Sequence, residues 1–404
     1  MVTAQASVLE QFNAPLQLRE FALQRDLEEG AVMVRTEMAG ICGTDVHLWK
    51  GELPINLPVI LGHETVGRIE QLGNGVTHDW TGTELKQGDR VTWNSTVSCG
   101  QCYYCTEKHQ PTRCPERRAY GIGYPSNEPP HFLGGYAKFH YLIPRTTLFK
   151  LPDDVPTEAV IGAGCALITA IHGVERICVE RASEAASSAN ANRGRGGAGS
   201  PEDGSAPFGS GLPVLPELWR ETVVVQGAGP VEVSAVAVAR AAGAEQIIVV
   251  GGPRHRLDLA LRFGADRVIN IDDVSKAEER IQAIRGFGRG YGADVVLECA
   301  GVPGAVPEGA EMCRDGGKLL ILGHYCDAGE IPFNPHLITR KQLQVFGSWS
   351  SEPRHLKSAL DFLSTCRDQF PFHTMVTHRF SLEQANEALQ TTARWESAKS
   401  VIIP

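Results

Sequence analysis

The sequence predicts an α/β chain of two domains, one β-rich and one built on a doubly wound parallel sheet. Three observations carry this expectation. The 404 residues exceed what a single hydrophobic core usually organises. From residue 222 onward, short apolar runs alternate with helical stretches, the pattern of a parallel sheet with helices on its faces. Residues 1–170 lack that alternation and hold β-like segments such as "AVMVRTEMAG", "TVGRIEQLG" and "GDRVTW", broken by glycine and proline.

In the second region "TVVVQ" is a buried-strand run, "GAGPVE" a glycine turn, and "VSAVAVARAAGA" a helix ended by Gly243. "QIIVV" is a second strand, and "RVINI", "ADVVLECA", "KLLILG" and "LQVFGS" continue the series. The C-terminal "SVIIP" is expected to return as a strand to the first domain. Residues 181–212, rich in alanine, serine, glycine and asparagine, offer almost nothing to bury. They are expected to be a disordered insertion without a catalytic part.

Seven side chains point to zinc. Cys99, Cys102, Cys105 and Cys114 lie in "CGQCYYCTEKHQPTRC", where two-residue gaps let successive thiolates turn toward one centre, as a closed four-ligand structural site requires. Cys42 in "GICGTDVH", His63 in "LGHE" and Cys165 in "GAGCALITA" form a three-ligand set that leaves a fourth position open, as a catalytic site does. A lone cysteine is more often a small buried hydrophobe, and a disulfide framework is the competing reading of the dense loop. The length of the chain and a start without a secretory signal favour a reducing compartment. If Cys42 holds a metal, Thr44 is placed to hydrogen-bond a substrate oxygen and His47 to pass its proton to solvent. Asp45 is a candidate acceptor for the free ring N–H of His63.

The turn "GAGPVE" follows a strand and opens a helix, as a dinucleotide-binding turn must. Gly227 permits the tight turn, Gly229 lets a pyrophosphate approach, and Pro230 and Val231 start the helix. Glu232 stands where a third glycine is usual. It either repels the phosphates or, harmlessly, points to solvent or forms a helix-capping contact. At the end of the second strand Gly251 replaces the acid that holds an NAD ribose, and Arg254 and Arg256 follow. That combination tilts toward a 2′-phosphate, and so toward NADP.

A net charge of −9 disfavours nucleic acid or an acidic membrane as partner. No apolar run is expected to reach the roughly 20 residues that span a bilayer. The cytoplasm is the expected compartment and a small molecule the expected partner.

Together these residues resemble the zinc-dependent medium-chain alcohol dehydrogenase family over nearly the whole chain outside 181–212. The "GHE" around His63, the four-cysteine loop and the placement of Cys165 before the nucleotide region are the specific marks, and "CGTDVHLWKG" is similar to the yeast and bacterial branch. The resemblance implies a GroES-like, partly open β-barrel catalytic domain plus a doubly wound Rossmann domain. It divides the chain into a catalytic part (1–170), a dinucleotide-binding part (171–345, containing the insertion) and a return to the catalytic domain (346–404). It also implies Cys42, His63 and Cys165 as catalytic zinc ligands, with Glu64 a carboxylate able to approach the metal and Thr44 and His47 as proton relay. Trp49 and Trp93 would line the substrate pocket, and Lys399 would lie near the pyrophosphate of NAD or NADP. A homo-oligomer, dimer or tetramer, follows from the resemblance alone. The chain departs from the family at Glu232, in the long connection between Cys165 and Gly227, and in the eight residues between Cys105 and Cys114.

The expected reaction is hydride transfer between an alcohol, or its aldehyde or ketone, and a nicotinamide cofactor, with zinc as Lewis acid on the substrate oxygen. Two alternatives stand beside it. One is a polyol or amino-alcohol dehydrogenase of the same fold; the other is a zinc-binding member whose Glu232 prevents cofactor binding.

Overall fold

The computed structural model describes residues 2–191, 218 and 220–404, the side chains of 179–191 excepted. Most of the 181–212 stretch therefore lies outside the described residues. Its first part differs from expectation, because the backbone of 181–191 continues the helix Thr157–Ala191. That segment is rich in alanine, a strong helix former, which favours extending a helix already nucleated by packing.

Strands from both ends of the chain share one sheet. Its order is Leu148–Lys150, Arg90–Trp93, Glu64–Leu72, Val32–Ile41, Lys399–Ile403 and Val376–Ser381, with Phe139–Leu142 also paired to Val32–Ile41. The C-terminal strand returns here as expected, pairing antiparallel with Val32–Ile41 so that Val401 faces Gly40. A smaller sheet holds Gln17–Ala22, Thr3–Leu9 and Val59–Ile60. Tyr120, Tyr136, Tyr141 and Phe132 are fully buried within this half.

The second unit is a six-stranded parallel sheet ordered Arg267–Asn270, Gln246–Gly251, Thr222–Gln226, Ala293–Glu298, Cys313–Ile321 and Gln344–Gly347. Numbered by sequence this is 3-2-1-4-5-6, the doubly wound order. Its central strands are buried almost throughout, with Val223, Val224, Val225, Ile247, Ile248 and Val249 inaccessible to solvent, because helices cover both faces. The helix Pro230–Ala241 ends just before Gly243, which takes a φ of 85°. The strand order reverses between Thr222–Gln226 and Ala293–Glu298, and their carboxyl ends form the crevice where such sheets bind ligands.

The helix beginning at Thr157 joins the halves. Over Thr157–Cys178 it is long and apolar enough to cross a membrane, contrary to the expectation that no such run exists. Its scattered polar residues, Glu158, His172, Glu175 and Arg176, hide it from a reading of uninterrupted apolar runs. Here 72% of that window is buried inside the protein, packed on Pro230–Ala241 and Pro353–Thr365, so the apolar surface is accounted for by the core.

Candidate active site

Cys42 caps the N-terminus of the helix Gly43–Lys50. Its sulfur accepts the amide of Thr44 at 3.2 Å, and Asp45 returns the favour by accepting the amide of Cys42 at 2.9 Å. A helix N-terminus favours negative charge, which suits a thiolate. His63 precedes the strand Glu64–Leu72, and its Nε2 lies 3.3 Å from the Cys42 sulfur. Cys165 follows a break at Gly164, whose φ of 50° and ψ of −150° interrupt the long helix. That break aims the Cys165 amide at Glu64 Oε1, 2.8 Å away. A side chain at Gly164 would run into the Glu64 carboxyl, its Cβ falling 2.8 Å from Cδ.

The ligand atoms of Cys42, His63, Glu64 and Cys165 all lie within 4.8 Å of one another. Hydrogen bonding to Cys165, with the neighbouring His63 charge, holds the Cys42 thiol well below its usual value despite burial. Burial opposes a charge on His63, but the Cys42 thiolate and Asp45 outweigh it and hold the imidazole well above its ordinary value. Cys165 moves the opposite way, pushed up by its bond to Cys42 and by burial. Two thiols and an imidazole crowded in a buried space, only one thiol ionising readily, are a donor set that a divalent cation fits.

Asp45 faces the other ring nitrogen of His63, as expected, at 3.6 Å. That is an ion-pair distance just outside a hydrogen bond, so His63 Nδ1 has no hydrogen-bond partner. Thr44 and His47 share the helix begun by Cys42. His47 Nδ1 meets Glu52 Oε2 at a half-exposed position, a partner that sequence reading missed although it lies five residues away. Trp93 lines a cavity of about 60 Å³ beside His63 and Cys165, together with Thr92, Val160, Ile168 and Leu360. Trp49, the other expected pocket residue, is not among its lining; its indole N–H donates to the Ala14 carbonyl at 2.8 Å. Tyr325 was also missed. It lies on the loop after the strand Cys313–Ile321, close enough for the charges of His63, Cys42 and Cys165 to act on its hydroxyl.

Cys99, Cys102, Cys105 and Cys114 likewise bring their sulfurs within 4.8 Å of one another. The amides of Cys99 and Cys102 donate to the sulfurs of Cys114 and Cys99, both at 3.3 Å. All four are thiols. The amide of Gln101 draws Cys99 down to about 7, whereas burial and the Cys102 sulfur push Cys105 up to about 11. Four thiolates cannot coexist so closely without a cation between them, and this set too fits zinc.

Lys399 was expected at the cofactor pyrophosphate. The structure places its ammonium in an ion pair with Glu64 Oε2, with Lys399 only 2% exposed. The pairing follows from sheet register, since Gly40 lies between Glu64 on one side and Val401 on the other. Breaking a buried pair leaves one charge uncompensated. Lys399→Met is therefore expected to destabilise the protein by about 3–5 kcal/mol, and Glu64→Gln on top of it to restore much of the loss. Thermal unfolding of the single and double variants checks this.

The glycine turn follows the strand Thr222–Gln226 as expected, with Gly229 as N-cap of the helix opened by Pro230 and Val231. Gly251 ends the second strand so close to the turn that a Cβ there would lie 2.6 Å from the Gly227 carbonyl carbon. Arg254 is exposed, paired with Asp258 at 3.2 Å. Arg256 is not at the surface where a 2′-phosphate would need it. It is 6% exposed, donates to the Ser397 carbonyl at 3.0 Å and lies over the Trp395 ring. Glu232 does not turn to solvent; it is buried, folded back over the turn.

Residues 28–153 match the alcohol dehydrogenase GroES-like domain and residues 230–365 the zinc-binding dehydrogenase domain. The chain is 33% identical to 5-exo-hydroxycamphor dehydrogenase of Pseudomonas putida over 378 residues, 93% of this chain and 92% of that one. It belongs to the zinc-dependent medium-chain alcohol dehydrogenase family. The crystal structure of an alcohol dehydrogenase from Thermotoga maritima, 33% identical, superposes over the whole of both chains with a TM-score of 0.85. A zinc-binding dehydrogenase from Sinorhizobium meliloti bound to NADP, 26% identical, does so with a TM-score of 0.78. This dehydrogenase is therefore a zinc-dependent oxidoreductase, with the GroES-like and Rossmann architecture expected from its sequence.

Proposed function

We propose that this dehydrogenase transfers a hydride between an alcohol and NAD or NADP, with residues 1–170 and 346–404 forming the catalytic part and 171–345 the dinucleotide part. The observation that carries the reading is the convergence of Cys42, His63 and Cys165 at a cavity walled by Trp93, Val160, Ile168 and Leu360. A cysteine–histidine–cysteine set beside a pocket that is apolar at Trp93, Val160, Ile168 and Leu360 and polar at Thr92, Asn94 and Ser95 suits an organic substrate with an oxygen to be held. Bound there, zinc supplies Lewis acidity at the substrate oxygen, and the nicotinamide ring supplies the hydride acceptor.

The protein's own groups do the rest. Asp45 keeps the His63 ring oriented with Nε2 toward Cys42. Cys99, Cys102, Cys105 and Cys114 hold the structural zinc. Thr44, tied by its amide to Cys42, takes the alcohol proton at its hydroxyl oxygen while giving its own hydroxyl proton onward to His47, which releases one toward Glu52 and water. Val160, Ile168 and Leu360 exclude water from the reacting carbon. Arg254, exposed at the end of the second strand with Gly251 in place of an acid, favours NADP, in keeping with the NADP-bound relative.

Measuring cofactor reduction over a panel of cyclic, aromatic, polyol and amino alcohols, with NAD and with NADP, tests the reading. Turnover of no alcohol with either cofactor would overturn it, and turnover confined to polyols or amino alcohols would move it to that alternative. Within the relay, Thr44→Ala is expected to lower kcat by about 10²–10⁴-fold. His47→Ala should cost less than about tenfold, because water can replace an imidazole that already stands half-exposed. Equal, negligible losses in both variants would show that the proton leaves by another route.

A further inference from the structure

The glycine turn at residues 227–229 is shaped to leave space for an anion, yet the protein fills that space itself. A Cβ on Gly227 would lie 2.7 Å from both Cγ and Cδ of Glu232, and one on Gly229 would lie 2.9 Å from its Oε2. The carboxylate thus sits over the turn, on the side the two glycines keep open. Glu232 belongs to the first turn of the twelve-residue helix Pro230–Ala241, whose N-cap Gly229 has no side chain to satisfy the first amides. The backbone amides of Glu232 and Gly229 lie close enough to favour the charge of the carboxylate instead. These are the donors that a dinucleotide pyrophosphate takes in this fold.

The surroundings fit a lodged anion. Glu232 is 7% exposed. Arg256 faces it from the helix Arg254–Arg262, while Glu298 and Cys299 face it from the end of the strand Ala293–Glu298, with His324 3.7 Å from Glu298. Burial raises the Glu232 carboxyl to about 7, and Glu298 adds to the rise. The amides and the Arg256 charge pull the other way. Arg256 is itself buried, with its Nε unpartnered.

We propose that Glu232 is an internal competitor for the cofactor phosphates: its carboxylate occupies the cradle at the helix N-terminus, and a dinucleotide binds only by displacing it. Glu232 thereby sets the affinity for the cofactor without touching the reacting atoms. The inference rests on the nicotinamide reading above, and its test separates the two.

Binding of ADP-ribose, NADH and NADPH to the zinc-loaded full chain is measured by calorimetry for the parent, Glu232→Gly and Glu232→Gln. Zinc content and circular dichroism confirm that each variant is folded. Glu232→Gly is expected to lower Kd for ADP-ribose and for at least one dinucleotide by tenfold or more. Glu232→Gln, which keeps the shape but not the charge, should lower it about threefold to tenfold. Should the glycine variant misfold, the glutamine variant decides alone. Dissociation constants within twofold of the parent in the folded variants overturn the proposal and leave the nicotinamide reading intact. Tighter ADP-ribose binding with neither dinucleotide bound by any variant upholds the competition and removes the nicotinamide reading. Absence of binding of all three ligands to all three proteins overturns both.

Discussion

Cys42→Ser is expected to abolish turnover while leaving the protein folded. Its sulfur is the hub of the open cluster, 3.3 Å from His63 Nε2 and hydrogen-bonded to the Thr44 amide, so its loss removes a metal ligand and the anchor of the relay together. Serine can still cap the helix Gly43–Lys50, because its hydroxyl accepts the same amide. The fold should therefore survive. Metal analysis should fall from about two zinc per chain to about one, matching the two clusters, and kcat/KM should drop by at least about 10³-fold, as expected when metal-assisted polarisation is lost. Full activity at one zinc per chain would show that the open cluster is not the reaction centre.

Cys102→Ser should do the reverse, harming stability first. The lobe carrying Cys99, Cys102, Cys105 and Cys114 has little core of its own; Tyr103 and Tyr104 are exposed. It is tied to the rest by Arg145, whose guanidinium donates to the Ser98 carbonyl at 2.6 Å, and by Arg113, which donates to the Trp349 carbonyl at 2.9 Å. Three ligands cannot close a structural site, and metal-binding energy there is folding energy. Loss of about 4 kcal/mol in a chain of this size corresponds to a fall in Tm of about 5 °C. Thermal unfolding with and without a chelator checks the expectation, because chelation should lower the parent Tm and leave the variant nearly unchanged. Equal chelator sensitivity in both proteins would overturn it.

The four-cysteine candidate and the nucleotide fold were legible because local spacing carries them, whereas Cys42, His63 and Cys165, far apart in the chain, were gathered by the resemblance. Gaps of two residues place Cys99, Cys102 and Cys105 on one short loop whatever surrounds it. A run such as "TVVVQ" flanked by a glycine turn has few alternatives to a central parallel strand, and it became Thr222–Gln226. The pairing of His47 with Glu52 was readable in principle from five-residue proximity and was overlooked. Tyr325 had no sequence signal, since only the tertiary structure lets the charges of His63 and Cys42 act on its hydroxyl. Trp49 stands outside the cavity that Trp93 lines, its indole N–H held by the Ala14 carbonyl, because an aromatic beside a ligand motif can turn either way along its helix.

By itself the sequence determined the parallel sheet, through apolar periodicity, and the family, through its resemblance in motifs such as "LGHE" and the four-cysteine loop. The tertiary structure alone decided where isolated charges end up. Lys399 meets a carboxylate 335 positions away because strand register brings the two together. Arg256 is withdrawn from the surface by Ser397 and Trp395 near the C-terminus. Glu232 turns inward over the glycine turn, where the amides of the helix N-terminus and the Arg256 charge favour its carboxylate. A buried charge goes where its counter-charges and donors are, and their positions depend on the whole chain.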